Sequence, residues 1–356
     1  MTDVLIAGSG PTGLTLACDL ALRGAAVRVI DRRTGPHHES RGKGLRPSSL
    51  EVFERLGVAG SLTAVGAERV VLRKYFDGAH VKDTPVVDAG LLIGQWQIEG
   101  ALRERLAGLG VQVEYGCRLA GITQDAAGVR AELADGTVIA ARYLAGCDGG
   151  RSTTRTLLGI PFEGSTQEEP AMVVGDVRAE GLSRDFWHQW FTSDGTGIML
   201  CPMPGTDSFQ LQASPERDDR GEPLEPSLEG FRRLFERHAR IPGIRLTDAT
   251  WVSAWRVNVR VAARLREGRV FLAGDAAHVH PIAGGLGMNT GIDDAAALGR
   301  TLAAALTGPG GDEVLDAYQA ERLPVAAEVV ADTARRYERV LAAVRTPGRG
   351  TEAGLE

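Results

Sequence analysis

Three short runs combine glycine with residues able to hold charge: Gly8-Ser9-Gly10-Pro11-Thr12-Gly13, Cys147-Asp148-Gly149-Gly150-Arg151-Ser152 and Gly274-Asp275-Ala276-Ala277-His278. The first follows the apolar run Val4-Leu5-Ile6-Ala7 and precedes an apolar-periodic stretch that leads into Val27-Arg28-Val29-Ile30-Asp31. Strand, glycine turn, helix, strand and acid is the order that holds a dinucleotide. Gly8 turns the chain, Gly10 lets backbone N–H groups approach a pyrophosphate, and Gly13 lets helix pack on strand. Pro11 and Thr12 open a helix whose unpaired N–H groups and positive dipole end favour phosphate. Asp31 ends the second strand at the distance where a carboxylate accepts both hydroxyls of an adenosine ribose.

The third run ends a strand in Gly274-Asp275, and Pro281 and the loop Gly284-Gly285-Leu286-Gly287-Met288-Asn289 then feed a second helix N-terminus. Its small residues leave room for a planar ring against the backbone, and the helix dipole would face any charge that ring develops. His278 and His280 have the spacing of metal ligands, but no Cys, Asp or Glu nearby completes a recognisable set, so no metal is expected. Arg41 and Lys43 lie one loop beyond the first motif. An anion contact by Arg41 and an ordinary solvated loop are equally compatible with that position.

These residues need a framework. Helical spacing predicts helices from about Pro11 to Arg23, Pro47 to Gly57, Gln95 to Leu106, Ser227 to Ala239, Thr290 to Leu306 and Asp312 to Val344. Residues 69–93 and 164–255 read as strands outside a parallel sheet, and the second stretch holds Trp187, Trp190, Phe191, Met199, Phe209, Trp251 and Trp255. Individually these are core residues; together they suit a flat apolar ligand. The expected fold is α/β, a Rossmann-like domain of residues 1–70, 95–163 and 256–345 with an interleaved antiparallel-sheet domain of residues 71–94 and 164–255. Residues 346–356 are expected to form a flexible tail, and 216–226 a mobile surface loop.

The 356 residues carry a net charge of -6, which gives no basic footprint for nucleic acid or an anionic membrane. The partner expected is a small molecule. Cys18, Cys117, Cys147 and Cys201 form no CxxC pair and read as reduced core residues. With no signal peptide and no apolar run near ~18 residues, a cytoplasmic protein is expected.

Taken in order and spacing, the three runs resemble the fingerprints of the class A FAD-dependent monooxygenases, the family of para-hydroxybenzoate hydroxylase. Arg41-Gly42-Lys43-Gly44-Leu45-x-Pro47 and residues 281–289 resemble most the subgroup that hydroxylates aromatic polyketides, here without that subgroup's C-terminal thioredoxin-like domain. Ile282 stands where many relatives have a second proline, and Met288 where leucine is common. The resemblance implies non-covalent FAD, with Asp31 and Arg32 at the adenosine end, Arg41 and Gln95 near the pyrophosphate and ribityl chain, and the backbone of Leu119 near the adenine. It implies that Asp275 holds ribityl hydroxyls, that Gly285, Gly287, Met288 and Asn289 offer backbone N–H groups to the flavin pyrimidine, and that residues from Asp148 to Arg151 serve the flavin and a passing nicotinamide. The implied reaction is hydroxylation of an aromatic, phenolic or polyketide-type molecule by O2 through a flavin C4a hydroperoxide, with NADPH or NADH as transient reductant. No catalytic acid or base is nominated; His188 and Arg256 are among the candidates. The competing readings are Baeyer-Villiger or ring-opening oxygenation, halogenation, which lacks its WxWxIP stretch here, and a non-catalytic flavoprotein that binds an aromatic. An NAD-dependent dehydrogenase would leave Gly274-Asp275 and its glycine loop without a role.

Overall fold

The computed structural model describes residues 2–86, 90–281, 285–308 and 311–345, with side chains to residue 338. Ile282, Gly284 and the tail 346–356 lie outside the described residues.

Strand Thr2–Ala7 is apolar on both faces, and Val4, Leu5 and Ile6 are fully buried, the pattern of a strand covered on both sides. It pairs in parallel with Val27–Asp31 on one side and with Val138–Gly146 on the other. Val113–Tyr115 and Val270–Leu272 extend the parallel sheet outward, and Arg266–Glu267 forms one edge. The hairpin Leu119–Gln124 and Val129–Leu133 attaches antiparallel to the first half of Val138–Gly146. Helices Pro11–Leu22, Gln95–Gly108 and Gly287–Thr307 cover one face and share its apolar core. Register decides the function of this sheet. Ala7 lies opposite Gly146, and Gly146 opposite Leu272, so all three glycine-containing runs leave the sheet at the same edge, side by side. Carboxyl ends of parallel strands are where such sheets bind ligands.

The second sheet has seven strands in the order Arg245–Trp255, Met172–Glu180, Ser208–Ala213, Gly197–Pro202, Trp187–Phe191, Val70–Phe76 and Ala79–Val86. All neighbours are antiparallel except Trp187–Phe191 with Val70–Phe76. Period-two alternation sends Trp190, Phe209 and Leu211 to one face, where they pack against Phe231, Leu234 and Phe235 of helix Leu228–Ala239. Ser227 caps that helix through Gly230 N at 3.1 Å. Trp187, Gln189 and Phe191 face the other way, into a cavity.

Two pairings cross between the segments that the sequence separates. Leu91–Gly94 pairs with Lys43–Leu45, and Phe162–Thr166 pairs with Asn258–Ala262 in a sheet completed by His278–Val279. Cys18, Cys147 and Cys201 are buried free thiols; Cys117 is only half-buried, on the turn before Leu119.

Candidate active site

Between the two sheets lies a cavity of about 2040 Å³. Its walls include Gly8, Gly10, Pro11, Thr12, Asp31, Arg32, Arg41, Gln95, Leu119, Asp148, Asp275, Pro281, Gly285, Gly287, Met288 and Asn289, so the site residues inferred from sequence converge, with one exception. Gly13 is absent from the lining and has a packing role. A Cβ there would stand 2.0 Å from the Gly8 carbonyl oxygen, and one on Gly8, at φ +106°, would stand 2.3 Å from that of Cys147. Gly10 differs from both: a Cβ on it would meet nothing within 4 Å, and the direction it would fill belongs to the cavity.

The acids divide in the same way. Asp31 is 6% exposed and already engaged: Ser9 N and Oγ donate to it at 2.8 and 2.7 Å, Arg33 N at 2.9 Å, and the Arg33 guanidinium closes an ion pair at 3.3 Å. Burial pushes its pKa up, but these hydrogen bonds outweigh burial and hold the carboxyl below its usual range. Asp148 turns its carboxylate away from a ligand role, accepting from Ser152 Oγ at 2.5 Å and from Thr154 N at 2.9 Å, at the start of the short helix Thr153–Leu157. Asp275 has no hydrogen bond from any described residue and opens onto the cavity. Its side chain is exposed to that space, and desolvation by the surrounding protein raises its pKa. An unengaged carboxylate beside open glycine backbone fits a ligand carrying hydroxyls and a pyrophosphate.

The loops around them are held by side chains. Gln95 accepts from Gly42 N at 3.2 Å and donates to the buried Glu99 at 2.9 Å, so both ends of its amide are engaged near Arg41. Arg41 is half-exposed, with Glu39 at 3.7 Å. Asn289 accepts from Arg46 N and Ser49 Oγ, both at 2.8 Å, and donates to Gly44 O and Gly285 O. Its side chain is a clamp between two loops, while the backbone from Gly287 opens helix Gly287–Thr307 toward the cavity. His278 is also structural: its Nε2 lies 2.6 Å from Asp294 Oδ2, which accepts from Gly274 N at 3.0 Å, and Arg322 donates to Asp294 Oδ1 at 2.8 Å. Among the described residues no cluster of three metal-ligating side chains occurs.

On the seven-stranded sheet, Trp187, Phe191, Met199 and Trp255 line the cavity, whereas Trp190 and Phe209 are core under the helix and Trp251 lies outside the lining. His188 faces the helix side, stacked on Trp190 with 5.3 Å between ring centroids and donating from Nε2 to Ser183 O, so it presents no base to a bound ligand. Arg256 lines the cavity and donates to Glu168 O at 2.7 Å. Sequence reasoning missed Lys43, Gln189, Gln210 and Gln212, which supply the polar part of this face. Lys43 stood in an apparent loop, and the glutamines carry a signal only once strand alternation is referred to the correct face.

A family model described as "FAD binding domain" matches residues 1–333. The chain is 39% identical over 365 residues to a "Flavin-dependent monooxygenase" of Mycobacteroides abscessus, covering 97% of this chain and 76% of that protein. Among solved structures it is similar to the flavin-dependent monooxygenase PieE in complex with FAD and substrate, with TM-score 0.84 and 26% identity over 96% of this chain and 64% of that one. It is also similar to aklavinone-11 hydroxylase in a ternary complex with FAD and aklavinone, with TM-score 0.81 and 29% identity over 94% of this chain and 68% of that one. The chain thus spans 64% to 76% of the length of these three proteins. With such likeness along nearly all its residues and its three glycine turns converging on one cavity, the chain belongs to the FAD binding domain family, among the class A flavin-dependent monooxygenases of the aromatic hydroxylase type.

Proposed function

We propose that this chain binds FAD along its three adjacent strand ends and, with NADPH or NADH and O2, hydroxylates a phenolic or polyketide-type aromatic lying on the cavity face of the seven-stranded sheet. One observation carries the reading: the cavity that contains Gly10 and the unengaged Asp275 continues onto Trp187, Phe191, Met199 and Trp255. When bound, the reduced flavin supplies oxygen activation. The protein positions and excludes water. Gly8, Gly10, Pro11 and Thr12 would receive the pyrophosphate, assisted by Arg41, with Gly13 keeping the helix close. Asp31, Arg32 and the Leu119 backbone would take the adenosine end, and Asp275 the ribityl hydroxyls. Pro281, Gly285, Gly287, Met288 and Asn289 would shape the ring site, and backbone near Asp148 would face the nicotinamide.

The division into a discontinuous FAD domain and an inserted substrate domain is part of this proposal, as is a reducing, cytoplasmic setting, which the free thiols suit. No helix among the described residues is long and apolar enough to cross a membrane.

Because the sequence shows no second dinucleotide turn, reduction waits for a passing nicotinamide. Aromatic binding should therefore favour the arrangement that the nicotinamide can reach. Anaerobic stopped-flow reduction of the FAD-loaded protein, with and without a panel of polycyclic phenols, tests this. At least one phenol should accelerate flavin reduction; a rate unchanged across the panel would remove the substrate-gated hydroxylase reading.

A further inference from the structure

Lys43 is a partly buried cation with no ion-pair partner among the described residues. It enters the cavity from strand Lys43–Leu45, donates to Gln210 Oε1, and sits with Nζ 4.5 Å from the centroid of the Trp187 ring. Gln210 cannot turn away, because its Nε2 is held by Ser40 Oγ at 2.6 Å and Arg41 O at 3.2 Å, while its Oε1 also accepts from Gln212 at 3.2 Å. The nearby carboxylate Asp176 is committed to Ser40, whose N and Oγ both donate to it. Among the described residues no carboxylate forms an ion pair with Lys43. An ammonium has three donors, and one of them is used.

The surface beside it is polar and ordered. Register places Gln189 opposite Met199 and Met199 opposite Gln212, so two amides flank one thioether in a row across the sheet. Gln189 has no hydrogen-bond partner among the described residues, and the Gln212 carbonyl has none either; both residues line the cavity. A partly buried cation beside two open amides and an indole is the complement of a flat aromatic with an ionised oxygen at one edge and further oxygens along its face.

We propose that Lys43 is the anion site of the substrate pocket, selecting aromatics whose phenol, or whose enol in a 1,3-dicarbonyl arrangement, binds as the anion with Gln189 and Gln212 contacting its other oxygens. This rests on the reading of the cavity as an aromatic site. It names the ionised oxygen as the feature recognised and Lys43 as the residue that recognises it. Burial alone lowers the Lys43 pKa, and an anion arriving beside it would restore the charged form. The other charged or titratable groups facing it are Asp176 and Cys201 from the sheet, Lys74 from the strand beyond, and Glu39 and Arg41 on its own segment.

The test is a spectrophotometric pH titration of a hydroxyanthraquinone, alizarin, bound to the FAD-loaded protein, read in the band of its anion to the red of oxidised flavin. In the unaltered protein the bound probe should ionise at least about one pH unit below the free probe, and Lys43→Met should abolish that shift and weaken binding roughly tenfold at a pH above the free pKa. Lys43→Arg should keep the shift. If Lys43→Met loses its flavin, Lys43→Gln, which removes the charge but keeps a polar side chain, takes its place in the titration. A probe that binds the unaltered protein with an unshifted pKa, or a shift that survives Lys43→Met, overturns the proposal while leaving the aromatic site intact. Failure of alizarin and of a phenol panel to bind at all would overturn both.

Discussion

Arg322, on helix Asp312–Arg345, donates its Nε to Asp294 Oδ1 at 2.8 Å, and through that carboxylate the last helix fixes the turn bearing Asp275. Asp294 is fully buried and accepts from Arg322, His278 and Gly274. Removing its charge strands two buried partners, so Asp294→Asn should cost about 3–5 kcal/mol in urea unfolding. A loss under ~1 kcal/mol would show that the network contributes little.

The same network has a pH signature. Its hydrogen bonds and charges raise the His278 pKa against desolvation and lower that of Asp294. Stability from His278 is complete below the unfolded histidine value and is lost as pH rises through its raised folded value. Stability from Asp294 is present above the unfolded carboxylate value and is lost as pH falls through its lowered folded value. The stability difference between the unaltered protein and Asp294→Asn should therefore be greatest between about pH 4 and 6.5 and shrink on both sides. His188, His238 and His280, whose pKa values burial lowers, act oppositely below neutrality but are common to both proteins and cancel in the difference. A difference rising steadily to pH 9 would contradict the assignment.

The glycines of the first turn should separate by phenotype. Gly10 has extended backbone, φ -78° and ψ -178°, and open space where a side chain would go. Gly10→Val should leave the urea midpoint nearly unchanged and weaken FAD binding at least tenfold, about 1.4 kcal/mol. Gly13→Val meets the Gly8 carbonyl and should destabilise folding by about 3 kcal/mol. Full flavin occupancy in Gly10→Val would take the pyrophosphate away from this turn.

Asp275 accepts no hydrogen bond from any described residue. Asp275→Asn should not destabilise the FAD-free protein, since no described residue donates a hydrogen bond to the carboxylate and its side chain is exposed to the cavity. In flavin titration it should weaken FAD by roughly 1.5–3 kcal/mol, the worth of hydrogen bonds to a charged acceptor. Unchanged affinity would remove Asp275 from the site.

Much of this is legible in the sequence, for reasons that are local. Pro11, Pro47 and Gly57 mark helix ends through backbone restriction, and Val4 to Ala7 read as a buried strand because both faces are apolar. The adjacency of the three runs comes from strand register, Ala7 beside Gly146 and Gly146 beside Leu272. What stayed hidden were side-chain partners fixed by distant contacts. Asn289 reaches Arg46 across 243 residues, and Lys43 looks like loop charge until Gln210, 167 residues away, is folded against it. Asp31 and Asp148 show the converse: each stands at a strand end that the sequence pattern marks, but neighbouring donors engage both carboxylates.

The most direct measurement is isotopic. FAD-loaded protein, NADPH or NADH, 18O2 and a polycyclic phenol that accelerates flavin reduction should give a hydroxylated product carrying one labelled oxygen atom, with the second atom in water. Product oxygen drawn from H218O, or oxygen consumed entirely as hydrogen peroxide with no labelled product from any phenol of the panel, would contradict the proposed monooxygenation.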